Sequence, residues 1–428
     1  MIICPEFPPE PSSSAIMAEQ LSRALADHGF SVTVVTAFPN RPSGKLYAGF
    51  KRQLRKIEQW GQVKVIRCPN WLLGSKRKGY SRILENITFG ITSSLNALRE
   101  PRPDLILVET WPIIAPQFNL WMGKFRKSPV LYYIQDVYPE IAVDVGVFKE
   151  DSRLARFLLN WDAKLCRNAA GIVAISDTMK RLLSATRGVP DHQVQVIHNW
   201  VDQNAISPLS RLNTWRELMK IPAEKFVLMY AGILGLVSGV DVLLEVAKRV
   251  EGSNVQIICI GQGPLKEEMM RKASEKSLSG ISFYDFQEQS YLSPMLATAD
   301  AFFLPMRPGT RDVSVPSKLI SYLAAGRPVI TATPAGAATM EVVRSNEAGI
   351  SVETGNPDAI AGAVLELAND PTRARQLGKN ARQAFEELFA FSKSYPQFKS
   401  LIQKHAEPSV SRKIPAVVPV PDDVPGSD

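Results

Sequence analysis

Short apolar runs alternate with helix-like stretches along most of the chain. In the first half the runs are "SVTVVTAF", "VKVIRC", "DLILVE", "PVLYYI", "GIVAIS" and "VQVIH". In the second half they are "FVLMYA", "VQIICIG", "ISFYDF", "AFFLPM", "RPVITAT" and "AGISVE". Between them lie helical patterns such as "AIMAEQLSRALADHGF" and "VDVLLEVAKRV". Runs apolar on both faces, separated by helices, predict parallel sheets covered on both sides. The alternation breaks between Gln203 and Lys225, a stretch that opens on the Pro-containing "QNAISPLSRLN", and it restarts at Phe226. The fold class expected is α/β, with two Rossmann-like doubly wound parallel-sheet domains over about 1–204 and 205–388. A last helical pattern, about 389–405, is expected to cross back to the first domain. Residues 406–428 are Pro-rich without a periodic apolar face, so they are expected to be disordered. The carboxyl ends of both sheets are expected to face one cleft, where loops and helix N-termini converge on a ligand.

Composition narrows the class. A chain of 428 residues exceeds one ordinary core and suits two domains of about 200 residues each. Cys4, Cys68, Cys166 and Cys259 are far apart, which disfavours metal and disulfide frameworks and fits a reducing compartment. His28, His192, His198 and His405 show no ligand spacing. No apolar run reaches about 18 residues, so no spanning helix is expected. The opening "MIICPEFPPEP" lacks the basic n-region of a signal peptide. The net charge is +8, yet residues 1–130 alone carry 18 Lys/Arg against 9 Asp/Glu. The clusters are "KRQLRK", "GSKRKGYSR" and "GKFRK". Such a basic first half suits nucleic acid or an anionic membrane surface, with a solvated basic face as the plain alternative.

One helix-like stretch carries its cation in an unusual place. "VPSKLISYLAAGRPVI" starts a helix after Pro316 and ends it at Gly326, and Lys318 falls in the first turn. The macrodipole is positive there, so a lysine is disfavoured unless an anionic ligand needs it together with the backbone N–H groups. Glycines follow two apolar runs, Gly232 and Gly235 in "YAGILGLVSGVDVLLE" and Gly261 and Gly263 in "GQGP". Glycine admits close backbone approach to a phosphate, but neither spacing is G-x-G-x-x-G, and plain loop roles fit equally. In "YIQDVYPE", Asp136 lies just past a run, with Glu140 four residues on. A carboxylate there can bind a hydroxyl or act as a base, and an N-cap with an acidic first turn is the alternative. In "VIHNWVD", His198 and Asn199 reach the domain junction, where capping is equally possible. There is no P-loop, no nucleophile elbow and no D-x-D motif.

Taken in order, these blocks resemble the GT-B glycosyltransferases of family 4, and among them the L-fucosamine-transferase-like (WbuB-like) branch of surface-polysaccharide enzymes. The blocks are "FPPEPSSSAIMAEQLSRALADHGFSVTVVTAFPNRPSGKLYAGF", "YIQDVYPEIAVDVGVF", "AISDTMKRLL", "VIHNWVD", "YAGILG", "GQGP", "ATADAFFLPM" and "VPSKLISYLAAGRPVI", covering about 1–400. The resemblance implies a nucleotide-sugar donor, read as a UDP-linked deoxy-amino or N-acetylamino sugar. It implies transfer with retention onto a lipid-linked (polyprenyl diphosphate) glycan. Ser317 and Lys318 are implied donor-phosphate ligands, with Gly232, Gly235, Gly261 and Gly263 as close backbone approaches. Arg307 is a further cation, and Phe286 and Glu288 of "FQEQ" line the base pocket. Ser12 and Ser13 stand where the wider family often has two glycines beside the donor. Asp136 and Lys318 are read as catalytic; Asp136, Glu140, His198 and Asn199 are placed at the acceptor side or the junction. The first domain is read as acceptor-binding and the second as donor-binding. No cofactor and no obligatory metal are expected. An anionic membrane surface, not nucleic acid, is the expected partner, and the location is cytoplasmic, peripheral on the inner face of the plasma membrane.

The chain also departs from the pattern. "ILGLVSG" lacks the Arg and Lys that the wider family places after its Y-x-G strand. Val313 and Ser321 stand where paired glutamates are usual. The burden on Lys318 and Arg307 rises accordingly. Three alternatives stay open: a GT-B-type nucleotide-sugar epimerase, a non-catalytic nucleotide-sugar-binding protein, and a nucleic-acid-binding protein. Against the last, the basic clusters lack the interleaved aromatics of stacking platforms.

Overall fold

The computed structural model describes residues 1–406, apart from 42–43, 52, 71–78, 111–113, 145, 148, 236–237 and 312. The first sheet contains β1 (Ile2–Ile3), β2 (Thr33–Ala37), β3 (Lys56–Trp60), β4 (Val63–Cys68), β5 (Ile106–Glu109), β6 (Val130–Ile134), β7 (Gly171–Ala174) and β8 (Val194–Val196). Its order is β3-β4-β2-β1-β5-β6-β7-β8, parallel except where β3 pairs antiparallel with β4. The second contains β9 (Phe226–Ala231), β10 (Val255–Ile260), β11 (Ile281–Tyr284), β12 (Ala301–Pro305), β13 (Val329–Thr333) and β14 (Gly349–Glu353). Its order is β11-β10-β9-β12-β13-β14, parallel throughout. Both are Rossmann-like sheets, and the fold class is the α/β arrangement expected.

Every residue of β6, β12 and β13 is buried, as strands sandwiched between helices must be. The edge strand β3 is different. Its sequence "KIEQW" alternates half-buried and exposed positions, so it shows no apolar run and only the structure reveals it. Each sheet reverses its direction of winding once, between β1 and β5 in the first and between β9 and β12 in the second. Loops diverge there and leave a crevice at the carboxyl ends.

The helix Phe391–His405 lies on the first sheet's core, into which Tyr395, Phe398, Leu401 and Ile402 are buried. Phe398 meets Tyr133 and Trp200 edge-on at 5.2 and 5.7 Å. Ser394 donates to the His198 carbonyl at 2.9 Å. Residues 407–428, expected to be disordered, residues 74–78 of the basic cluster "GSKRKGYSR" and Arg52 of "KRQLRK" lie outside the described residues.

Candidate active site

A cavity of about 490 Å³ lies between the carboxyl ends of the two sheets. Two helices aim their N-termini at it. One is Ser13–Asp27, whose Ser13 and Ser14 line the wall; the other is Ser317–Ala324, which brings Ser317 and Lys318. Both positive dipole ends thus converge on one space, an arrangement suited to an anion. At the second helix the N-cap residue is Pro316, which has no capping side chain. Leu319 N donates to the Pro316 carbonyl at 2.9 Å, and the N–H groups of Ser317 and Lys318 are left for a ligand.

Lys318 is folded back under the loop that follows β9. Its Nζ donates to the Tyr230 hydroxyl at 2.6 Å and lies 4.5 Å from the centroid of that ring. Burial pushes its pKa down to about 8. Tyr230 in turn donates to the Ile233 carbonyl at 2.7 Å. The Tyr322 hydroxyl accepts from Ala231 N at 2.9 Å and donates to Ala231 O at 3.0 Å. Gly232 has φ +150°, and a Cβ there would stand 2.2 Å from Lys318 Cε. The positive φ favours glycine after β9, and its lack of a side chain leaves the path that the lysine side chain takes.

Across the cavity Asp136 follows β6, and burial raises its carboxyl above the usual range. Asn199 beside it is fixed from three directions. Its Oδ1 accepts from the Tyr133 hydroxyl at 2.6 Å and from Gln135 Nε2 at 3.3 Å, and its Nδ2 donates to Gln135 Oε1 at 2.7 Å. Phe286 and Glu288 line the rim on the second-domain side, and the Phe286 ring is 56% exposed, free to stack on a planar base.

Other expected residues stand elsewhere, each for a visible reason. Ser12 caps its helix, accepting from Ala15 N at 3.2 Å. Gly261 and Gly263 are required by backbone packing: a Cβ would lie 1.9 Å from Gly232 O and 2.3 Å from Leu234 O respectively. They shape the loop that covers Lys318 and do not line the cavity. At Gly235 an added Cβ meets only Ile233 Cγ2, at 3.6 Å. Arg307 is off the cavity wall, half-exposed and 4.0 Å from Asp241. His198 shares a hydrogen bond between Nδ1 and Ile175 O at 2.9 Å and packs on Phe389. Glu140 is consumed by Arg187, whose Nη2 donates to it at 2.8 Å.

Sequence reasoning passed over Gln135, Tyr230 and Glu109. Glu109 ends β5 and lines a small recess that shares Ser14, Met17 and Trp200 with the main cavity. Burial first, then the charges of Glu6 and Asp136, push its pKa up to about 8. The signal that picked out Asp136, a carboxylate closing an apolar run, was equally present in "DLILVE".

Residues 14–200 match the family model described as "Glycosyl transferase 4-like domain", and residues 213–384 match "Glycosyl transferases group 1". With two Rossmann-like sheets and a cavity between their carboxyl ends, the protein is a GT-B glycosyltransferase. Within that class it belongs to group 1, with a family 4-like N-terminal domain. It is 24% identical over 334 residues to the putative colanic acid biosynthesis glycosyl transferase WcaI of Escherichia coli, covering 76% of this chain and 81% of that one. In fold it is similar to the sucrose-phosphate synthase of Thermosynechococcus elongatus, with TM-score 0.72 and 18% identity over 94% of this chain and 98% of the other. It is also similar to Anabaena HepE in complex with UDP, with TM-score 0.69 and 14% identity over 94% and 99%.

Proposed function

We propose that this glycosyltransferase moves a sugar from a UDP-linked donor, with retention, to a hydroxyl of a lipid-linked (polyprenyl diphosphate) glycan in surface-polysaccharide synthesis. The observation that carries the donor reading is the Lys318 ammonium, held beside a helix N-terminus without a capping side chain on the wall of the cavity that Asp136 also lines. As the glycosidic bond to the diphosphate breaks, negative charge builds on the leaving oxygen. In this reading the Lys318 ammonium and the N–H groups of Ser317 and Lys318 stabilise that charge. UDP is supported by the nucleotide in the HepE complex, and the polysaccharide role by the name of WcaI. Retention, the lipid-linked acceptor and the deoxy-amino or N-acetylamino sugar of the L-fucosamine-transferase-like branch rest on the family 4 resemblance. In this reading residues 1–204, with 389–405 returning, hold the acceptor, and 205–388 hold the donor.

A panel of UDP-, GDP- and dTDP-sugars scored by thermal shift tests it. A donor present at 100 times its Kd adds about 2.7 kcal/mol of stability. No shift with any of them contradicts the reading. Conversion of the bound sugar without an acceptor would favour an epimerase.

Asp136 is proposed to orient the acceptor hydroxyl. Asp136→Asn is expected to lower kcat at least tenfold while the melting temperature stays within about 1 °C; at about 2.1 cal/mol/K per residue, such a shift in a chain of this length is on the order of 1 kcal/mol. The opposite pattern, lost stability with intact turnover per folded molecule, would make it a cap. No obligatory metal is proposed, so EDTA is expected to leave turnover unchanged; loss restored by magnesium or manganese would refute that.

Access to a lipid-linked acceptor is proposed to come from a peripheral position on the inner face of the plasma membrane. On the helix Ala115–Arg126, Trp121 and Phe125 are 53% and 78% exposed, next to the exposed Lys124 and Lys127. Ile91 and Leu95 are exposed on the neighbouring helix Gly79–Leu98. Among the described residues no helix is long and apolar enough to cross a membrane. Apolar side chains among cations suit an anionic interface. Sedimentation with anionic vesicles at low salt, and its absence with neutral ones, is the expected result; equal behaviour with both refutes it.

A further inference from the structure

The described residues 306–311 and 313–316 lie between β12 of the second sheet and the helix that carries Lys318. The middle of this segment, however, is gripped by the first domain. Arg311 N donates to Asp144 Oδ2 at 2.8 Å, and Arg311 Nε lies 3.3 Å from Asp144 Oδ1. Arg311 Nη2 also donates to Glu150 Oε1 at 2.8 Å. Val313 is packed into the core of the first sheet, and Ser176 donates its hydroxyl to the Val313 carbonyl. Beside this grip, Arg181 Nη2 reaches both carboxylate oxygens of Glu341, at 2.7 and 2.9 Å. An ion pair at Arg311, and a buried apolar side chain and a hydroxyl hydrogen bond both at Val313, thus hold two points of one segment.

The placement has a mechanical consequence. Only Ser314, Val315, Pro316 and Ser317 separate Val313 from Lys318. Pro316 fixes its own φ, here −62°, so little slack is available. Val315, between Val313 and Lys318, is buried with Leu319 in the core of the second sheet, so the short link is anchored in both domains and a movement of the first domain that carries Val313 pulls on the start of the lysine helix. Asp144 closes the short helix Glu140–Asp144, which begins four residues after Asp136. The same helix therefore lies next to the acceptor-side carboxylate and holds Arg311. The Asp144 side chain is only 6% exposed and that of Arg311 35%, so solvent screens this pair less than an ordinary surface pair.

We propose that Arg311, Asp144 and Val313 form a strap through which the first domain positions Lys318, so that the ammonium is correctly placed for the donor diphosphate only when the two domains are closed on each other. Arg311 is thus a positioning residue that acts through Lys318. This rests on the reading that Lys318 binds the donor diphosphate.

Calorimetric titration of the full chain with UDP tests both levels separately. Wild type, Lys318→Ala, Arg311→Ala and the double variant are compared, with melting temperatures recorded for each. Lys318→Ala is expected to weaken UDP at least tenfold. Arg311→Ala is expected to weaken it about fivefold to tenfold in the wild type and to have no further effect when Lys318 is already alanine. Arg311→Lys is expected to recover part of the loss. Unchanged affinity in Arg311→Ala, or the same loss in both backgrounds, overturns the strap while leaving the diphosphate reading standing. Wild-type affinity in Lys318→Ala, or no UDP binding by the wild type, removes the reading beneath it. If Arg311→Ala fails to fold, Asp144→Asn removes the paired charge with little change of shape and is held to the same comparison.

Discussion

Replacing Lys318 with alanine will lower kcat/KM for the nucleotide-sugar donor by roughly two to three orders of magnitude. Loss of one preorganised donor to a developing oxyanion typically raises the barrier by about 2.7–4 kcal/mol. The structure adds two independent ways to move the same ammonium. Gly232→Ala would place a methyl 2.2 Å from Lys318 Cε, so it should reproduce much of the Lys318→Ala defect although no charge is removed. Raising the pH should act as well. Burial leaves the Lys318 ammonium with a pKa of about 8 in the unliganded site. An adjacent diphosphate favours the charged form, so binding takes up a proton above that pH. Donor affinity should therefore be full below about pH 8 and fall as pH rises through it. Lys318→Ala should flatten that slope, leaving only the share contributed by Glu109, which also titrates near 8. Near-normal kinetics in Lys318→Ala would reduce the residue to an ordinary helix side chain.

Arg187→Ala is expected to produce the largest loss of stability, about 3–5 kcal/mol, because it strands two carboxylates in the interior. Its side chain is fully buried. It donates to Asp162 Oδ2 at 2.8 Å, to Glu140 Oε2 at 2.8 Å and to the Tyr138 carbonyl at 2.6 Å. Tyr132 adds a hydrogen bond to Asp162 at 3.2 Å. Burial works against ionisation of Glu140, yet the hydrogen bonds and charge of Arg187 hold its carboxyl below the usual range. Burial dominates at Asp162 and raises its carboxyl. A loss of this size is a large part of a typical folding free energy of about 5–15 kcal/mol. The cost comes from the stranded charges, so the triple variant Arg187→Met, Glu140→Gln, Asp162→Asn should recover most of the melting temperature. If Arg187→Ala alone melts like the wild type, the network does not bear on stability.

The two predictions also show where the sequence could be read and where it could not. The parallel sheets were legible because buried strands are apolar on both faces, a pattern that survives in one dimension. The edge strand β3 was not, since half its side chains face solvent and its lysine read as part of a basic cluster. Lys318 stood out because a cation in a first helical turn violates a local electrostatic preference. Glu140 was misjudged for a different reason. An acidic residue in a first turn obeys the local rule, and its partner Arg187 lies 47 positions away. Gly261 and Gly263 were correctly seen as demanding positions, but the demand comes from the backbone of residues 232–234 rather than from a phosphate. Tertiary partners of this sort leave no mark in local spacing.

A crystal structure of the protein with UDP tests the central claim most directly. The diphosphate is expected at the first turn of Ser317–Ala324, with a phosphate oxygen within hydrogen-bond distance of Lys318 Nζ and the uracil ring beside Phe286. A diphosphate bound elsewhere, or a Lys318 side chain that still points to Tyr230 and leaves the phosphates untouched, would contradict the account.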